Sequence, residues 1–184
     1  MESTTMKRAV GGAALAAFVA TVWGANWALE EYGIVDLPGT GLEAPAGVWF
    51  AGLAFGLRDA VHETLGRWFV VAGILAGAVL SWIVSDAVSI PGGHASIAVA
   101  SGVAFLLSEA ADLAVYDPLR ERNWVAAVAA SNIVGAILDS ALFLWLAFGS
   151  LDFISGQVIG KALMILPGWA VVFVARRSRR RHDG

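Results

Sequence analysis

Six long apolar runs divide this chain, and its cations are sorted by the gaps between them. With the first residue placed inside, Lys7, Arg8, Arg58, Arg67, Arg120, Arg122 and the terminal Arg176, Arg177, Arg179, Arg180 and Arg181 all fall on one side of a membrane. Of twelve Lys and Arg, Lys161 alone stands apart, within a run. Cations retained on the cytoplasmic side orient membrane helices, so the pattern predicts an all-α protein of six transmembrane helices with both termini cytoplasmic. The opposite gaps hold Glu30, Glu31, Asp36, Glu43, Asp86 and Asp152, so the net charge of -3 conceals the sorting. A reporter fused at Gly92, in the gap after the third run, is expected to read as external; a cytoplasmic signal there overturns this topology.

The runs span about 9–29, 45–65, 67–86, 95–116, 124–149 and 155–175, leaving tails of 1–8 and 176–184. Only 15% of residues are charged and 58% are apolar, which leaves no composition for a separate soluble domain. Lys7 and Arg8 ahead of an apolar stretch resemble a signal peptide, but 9–29 is too long for its hydrophobic region, and a retained helix is expected. Tryptophans fall where the interfaces should be: Trp23, Trp27, Trp49, Trp82 and Trp145 toward the outside, Trp68, Trp124 and Trp169 toward the inside. Breakers separate the runs at Pro38-Gly39, Pro91-Gly92-Gly93 and Pro118, while Pro167 lies within the last run and should kink it. Gly73 and Gly77 stand at the spacing that lets membrane helices approach closely.

Ionisable groups inside spans are costly and mark function. Here they are Asp59, His62 and Glu63 on the second run, Glu109 and Asp112 on the fourth, Asp139 on the fifth and Lys161 on the sixth. Counting helical rise places Asp59, Glu109 and Asn132 at a common depth of about 10–12 Å from the inner end. Asp139 and Lys161 share a deeper level at about 21–22 Å, which makes them a pair. Helical phase puts Ser101, Ser108, Asp112 and Tyr116 on one polar stripe and Asn132, Gly135 and Asp139 on another; two facing stripes would enclose a solute cavity. Asp59 and Glu63 are candidates for gating or proton coupling, or they snorkel at the inner interface. The segment Ala54 to Ala60 is echoed by Ala104 to Ala110, so Asp59 and Glu109 occupy matching places in a parallel repeat.

Other chemistries find little here. Cysteine is absent, the three histidines are scattered, and no phosphate-binding loop occurs. Ser101, Ser108, Ser131 and Ser140 lack the setting of an intramembrane nucleophile, and His94 lies in a gap. No enzyme activity and no cofactor are expected.

Three segments carry a family resemblance: AGVWFAGLAFGLRDAVHETLG (Ala46 to Gly66), AFLLSEAADLAVYDPLR (Ala104 to Arg120) and SNIVGAILDSALFLWLAFG (Ser131 to Gly149), with Lys161 and Pro167 after them. Together they resemble the vitamin uptake transporter family, the queuosine-precursor transporters. The chain departs from that pattern at Arg58, where a small hydroxyl residue is common, and at a reduced entrance to the fifth run around Arg122 and Asn123. The resemblance implies import of a 7-deazaguanine base, in its cyano or aminomethyl form, across a bacterial inner membrane. The alternative is the substrate-binding subunit of an energy-coupling factor importer of vitamins or nucleobases. A carboxylate can accept both donors of a guanine-like edge, so Asp112 or Glu109 is expected to hold that edge. Asp139 and Asn132 would take the remaining polar atoms and Lys161 the charge. Ser108 completes the stripe, and Phe55, Phe105 and Phe143 offer stacking faces. The expected partners are this nucleobase-like solute and membrane lipid, the latter met by the terminal arginines. No nucleic acid is expected, and a homo-oligomer is left open.

Overall fold

Apolar runs this long can satisfy their backbone in lipid only as helices, and the computed structural model, which describes residues 2–84 and 96–164, is built that way. Its elements are α1 (Glu2–Tyr32), β1 (Ile34–Leu37), β2 (Leu42–Pro45), α2 (Val48–Leu65), α3 (Arg67–Val84), α4 (Ile97–Arg120) and α5 (Trp124–Phe148). A further helix, α6, covers 154–164. Asp86, Pro91-Gly92-Gly93, His94, Pro167, Trp169 and the terminal arginines lie outside the described residues. Three helices are long and apolar enough to cross a membrane among the described residues, within Arg8–Tyr32, Ile97–Arg120 and Val125–Phe148. The charged α2 and the apolar α3 have 18 residues each, a length of about 27 Å against a hydrocarbon core of about 30 Å.

Local chemistry sets the ends. Ser96 and Asn123 cap α4 and α5 by accepting the backbone N–H groups of Val99 and Ala126. Gly149 ends α5 in the left-handed conformation with φ 70°. Pro118, expected to close the fourth run, is instead passed by α4, which continues to Arg120. It stands in an exposed last turn, where water can take the carbonyl that its missing N–H leaves free.

The Pro38-Gly39 breaker is more than a break. The chain on either side pairs as an antiparallel hairpin, Ile34 opposite Pro45 and Leu37 opposite Leu42. Gly39 and Gly41 supply positive φ in its tight turn. Leu37 and Ala44 pack with Val48 of α2 in a small apolar cluster, so the hairpin is fastened to the helices.

The main core joins Phe18 and Val22 of α1, Ala54, Phe55 and Val61 of α2, Val70 and Ile74 of α3, Phe105 of α4 and Ala136 of α5. Gly73 and Gly77 are spent inside this core. A side chain at Gly73 would strike Leu15 and Phe18, and one at Gly77 would strike Val22, so the small-residue seam of α3 receives α1. The outward faces are apolar instead: Trp68, Leu75, Val79 and Trp82 of α3 and Ile133, Ile137 and Trp145 of α5 are exposed. Meanwhile Arg58, Glu109, Asp112, Asn132, Asp139, Gln157 and Lys161 are buried. Apolar outside and polar within is the arrangement that lipid as solvent selects.

Candidate functional site

Small residues leave room where α1, α2, α4, α5 and α6 converge. Ala25, Ala51 and Ala54 line a cavity holding about 470 Å³ of empty space, counted out to its open mouth. Pro45, at the end of the hairpin, forms part of its wall.

Helical spacing aims the polar groups into it. Asp139 and Phe143 are one turn apart on α5, Gln157 and Lys161 one turn apart on α6, and Ser101 and Phe105 one turn apart on α4; all six line the cavity. Lys161 Nζ lies 2.5 Å from Asp139 Oδ2 and donates to Ser140 Oγ at 2.8 Å. The expected pair is therefore formed, and the lysine is 1% exposed. Two amides in the same wall have no such closure. Asn26 Nδ2 and Gln157 Oε1 are buried without a hydrogen-bond partner among the described residues. Buried polar atoms are normally paired, so two orphans lining one cavity suit a ligand that supplies their partners.

A second constellation, one turn along α2 and α4 from Ala54 and Phe105, is centred on Arg58. Its guanidinium reaches Asp59 Oδ1 at 2.6 Å, Glu109 Oε2 at 2.9 Å and Asp112 Oδ1 at 3.2 Å. Asn132 Nδ2 donates to Asp59 Oδ2 at 3.2 Å and to the Val128 carbonyl at 2.9 Å. Arg58 also sits 5.2 Å above the Phe55 ring, and Phe55 stacks on Phe105 at 5.2 Å between centroids. Phe55 meets Phe105, and Asp59 and Glu109 grip the same cation. Gly135 leaves space here, where a side chain would press on Phe55 and Asp112.

Arg58 belonged, by its sequence position, with the cytoplasmic cations, yet it is 1% exposed inside α2. Three carboxylates hold it there. Of the residues expected to meet solute, Asp139, Lys161, Phe105 and Phe143 line the cavity. Glu109, Asp112 and Asn132 gather around Arg58 instead, and Ser108 is buried with its hydroxyl donated to the Phe105 carbonyl. Asp59 joins the Arg58 cluster, while Glu63 lies exposed on α2. His62 and Tyr116 bring their rings within 6.3 Å below it. Asn26, Gln157 and Thr21 were missed by sequence reasoning; the only signals were an amide in each of the first and last runs and, for Thr21, a hydroxyl among apolar neighbours.

A family model described as "Putative vitamin uptake transporter" matches residues 45–175, more than half of the chain. No curated protein and no solved structure matches it.

Proposed function

The chain belongs to the vitamin uptake transporter family, and from that premise we propose that it imports a queuosine precursor, a 7-deazaguanine base in its cyano or aminomethyl form, across a bacterial inner membrane. The observation that carries this reading is the cavity in which Asp139, Lys161, Phe105 and Phe143 stand beside the unpaired amides of Asn26 and Gln157. A deazaguanine presents adjacent N–H and NH₂ donors, which the Asp139 carboxylate accepts. Its lactam carbonyl can accept from Asn26 Nδ2, and its pyrrole N–H can donate to Gln157 Oε1. The phenylalanines offer ring faces to a flat heterocycle. The Arg58 cluster lies behind Phe105, so Glu109 and Asp112 act on the solute through the arginine and the aromatic pair.

Uptake of labelled 7-cyano-7-deazaguanine into bacteria lacking both its synthesis and their own importer tests the reading. Cells carrying this chain are expected to accumulate the base. Failure to do so refutes the proposed solute, and uptake that appears only with an added ATPase module assigns the chain to the substrate-capturing class. Asn26→Leu sharpens the test, because it removes a buried orphan donor. Its folded stability should hold or rise, while uptake should fall about tenfold or more as the solute loses that bond. Normal uptake by the variant would take Asn26 out of the site.

A further inference from the structure

The charges around Arg58 do not balance. One guanidinium faces the three carboxylates of Asp59, Glu109 and Asp112, so full ionisation leaves two excess negative charges. Asp59 is the most open of the three, with its side chain 17% exposed. Glu109 is 4% exposed, and among the described residues its buried Oε1 has no hydrogen-bond partner. Asn132, bonded into the same network, likewise has an acceptor, Oδ1, with no partner among the described residues, and is 3% exposed. The cluster is therefore short of donors as well as of positive charge.

A proton supplies both. A metal cation is a poor substitute, because the guanidinium already holds the centre and binds an oxygen of every carboxylate. Among the described residues no group of three His, Cys, Asp or Glu could hold a metal ion. The groups electrostatically close to Glu109 are Arg58, Asp59 and His62 of α2 and Asp112 of its own helix. α5 adds the amide of Asn132 and, farther along, Asp139. α3 has no titratable side chain after Arg67, and α1 has none between Arg8 and Glu30.

We propose that Glu109 is the proton-carrying group that energises this transporter, an assignment that rests on the transport reading above. As the neutral acid, Glu109 donates through Oε1–H and removes one of the excess charges. On release the proton passes to the Asp59 carboxylate, which returns it to water at the inner side, and Glu109 remains as a carboxylate held by Arg58. Solute and proton are close enough to couple. Glu109 follows Phe105 by four residues, about 6 Å along the axis, and Phe105 is both a wall of the cavity and the ring on which Phe55 stacks. A solute that displaces Phe105 thereby moves the platform beneath Arg58.

Infrared spectroscopy of the full chain in lipid bilayers tests the proton site without any solute. At neutral pH the wild type should show the carbonyl stretch of a protonated, buried carboxyl group, moved by isotopic labelling of glutamate and missing in Glu109→Gln. No such band, or a band unmoved by the label, overturns the assignment even if the variant fails to fold. Coupling is read in proteoliposomes with labelled 7-cyano-7-deazaguanine. The wild type should accumulate the base when the lumen is alkaline, whereas Glu109→Gln should exchange the base across the membrane without accumulating it. Accumulation by Glu109→Gln at the wild-type level, or accumulation driven by sodium at equal pH, overturns the proposal. If no protein moves the base, the solute reading fails, and the infrared result alone decides whether Glu109 holds the proton.

Discussion

Arg58→Leu is expected to destroy the folded protein rather than merely weaken its activity. The side chain is among the largest that are fully buried, and its guanidinium is the common partner of Asp59, Glu109 and Asp112. Removing one member of a buried ion pair costs about 3–5 kcal/mol, because the charge left behind has lost its compensation. Here several carboxylates are left at once, and a whole domain is stable by only about 5–15 kcal/mol. Arg58→Lys should be intermediate, since one ammonium cannot reproduce the planar fork that meets several oxygens. Neutralising the acids in the same chain, with Asp59→Asn, Glu109→Gln and Asp112→Asn added to Arg58→Leu, should recover much of the fold but not the transport. Yield of monodisperse protein in detergent and its melting temperature would show this. An Arg58→Leu protein that melts with the wild type would mean that the cluster does not hold the helices together.

The second large effect belongs to Asp139 and Lys161. Their side chains are 7% and 1% exposed, so little solvent screening reduces the interaction. Asp139→Asn or Lys161→Gln alone should cost about 3–5 kcal/mol, by the same argument of an abandoned charge. The two changes together should melt above either single variant, because no buried charge is left unpaired. Uptake should stay low in the double variant, since both groups line the cavity. A double variant no more stable than the worse single one would show that the pair contributes nothing through its mutual attraction.

Much of the helical framework was legible from hydrophobicity alone. The runs expected at 45–65 and 124–149 are found as Val48–Leu65 and Trp124–Phe148, because in lipid an apolar stretch of that length has little alternative to a helix. The hairpin was not legible. Its strands are four residues each, and Asp36 and Glu43 made the gap look like an acidic loop. Register against α2, through Leu37, Ala44 and Val48, makes it a structure.

The site divides in the same way. Counting residues along straight helices was enough to pair Asp139 with Lys161 and to place Asp59, Glu109 and Asn132 in one layer, since depth in a membrane is a one-dimensional quantity that rise per residue supplies. Azimuth is different. Which way Arg58 turns, toward cytoplasmic water or into the bundle, depends on how α2 is rotated against α4 and α5, and no residue of α2 states that by itself. Only the packed helices bring three carboxylates to one guanidinium and leave the amides of Asn26 and Gln157 facing the same empty space. By itself, then, the sequence determined which stretches are helical and how the polar groups are spaced along each helix; the tertiary structure decided which of those groups meet, because contact depends on the rotation and tilt of neighbouring helices.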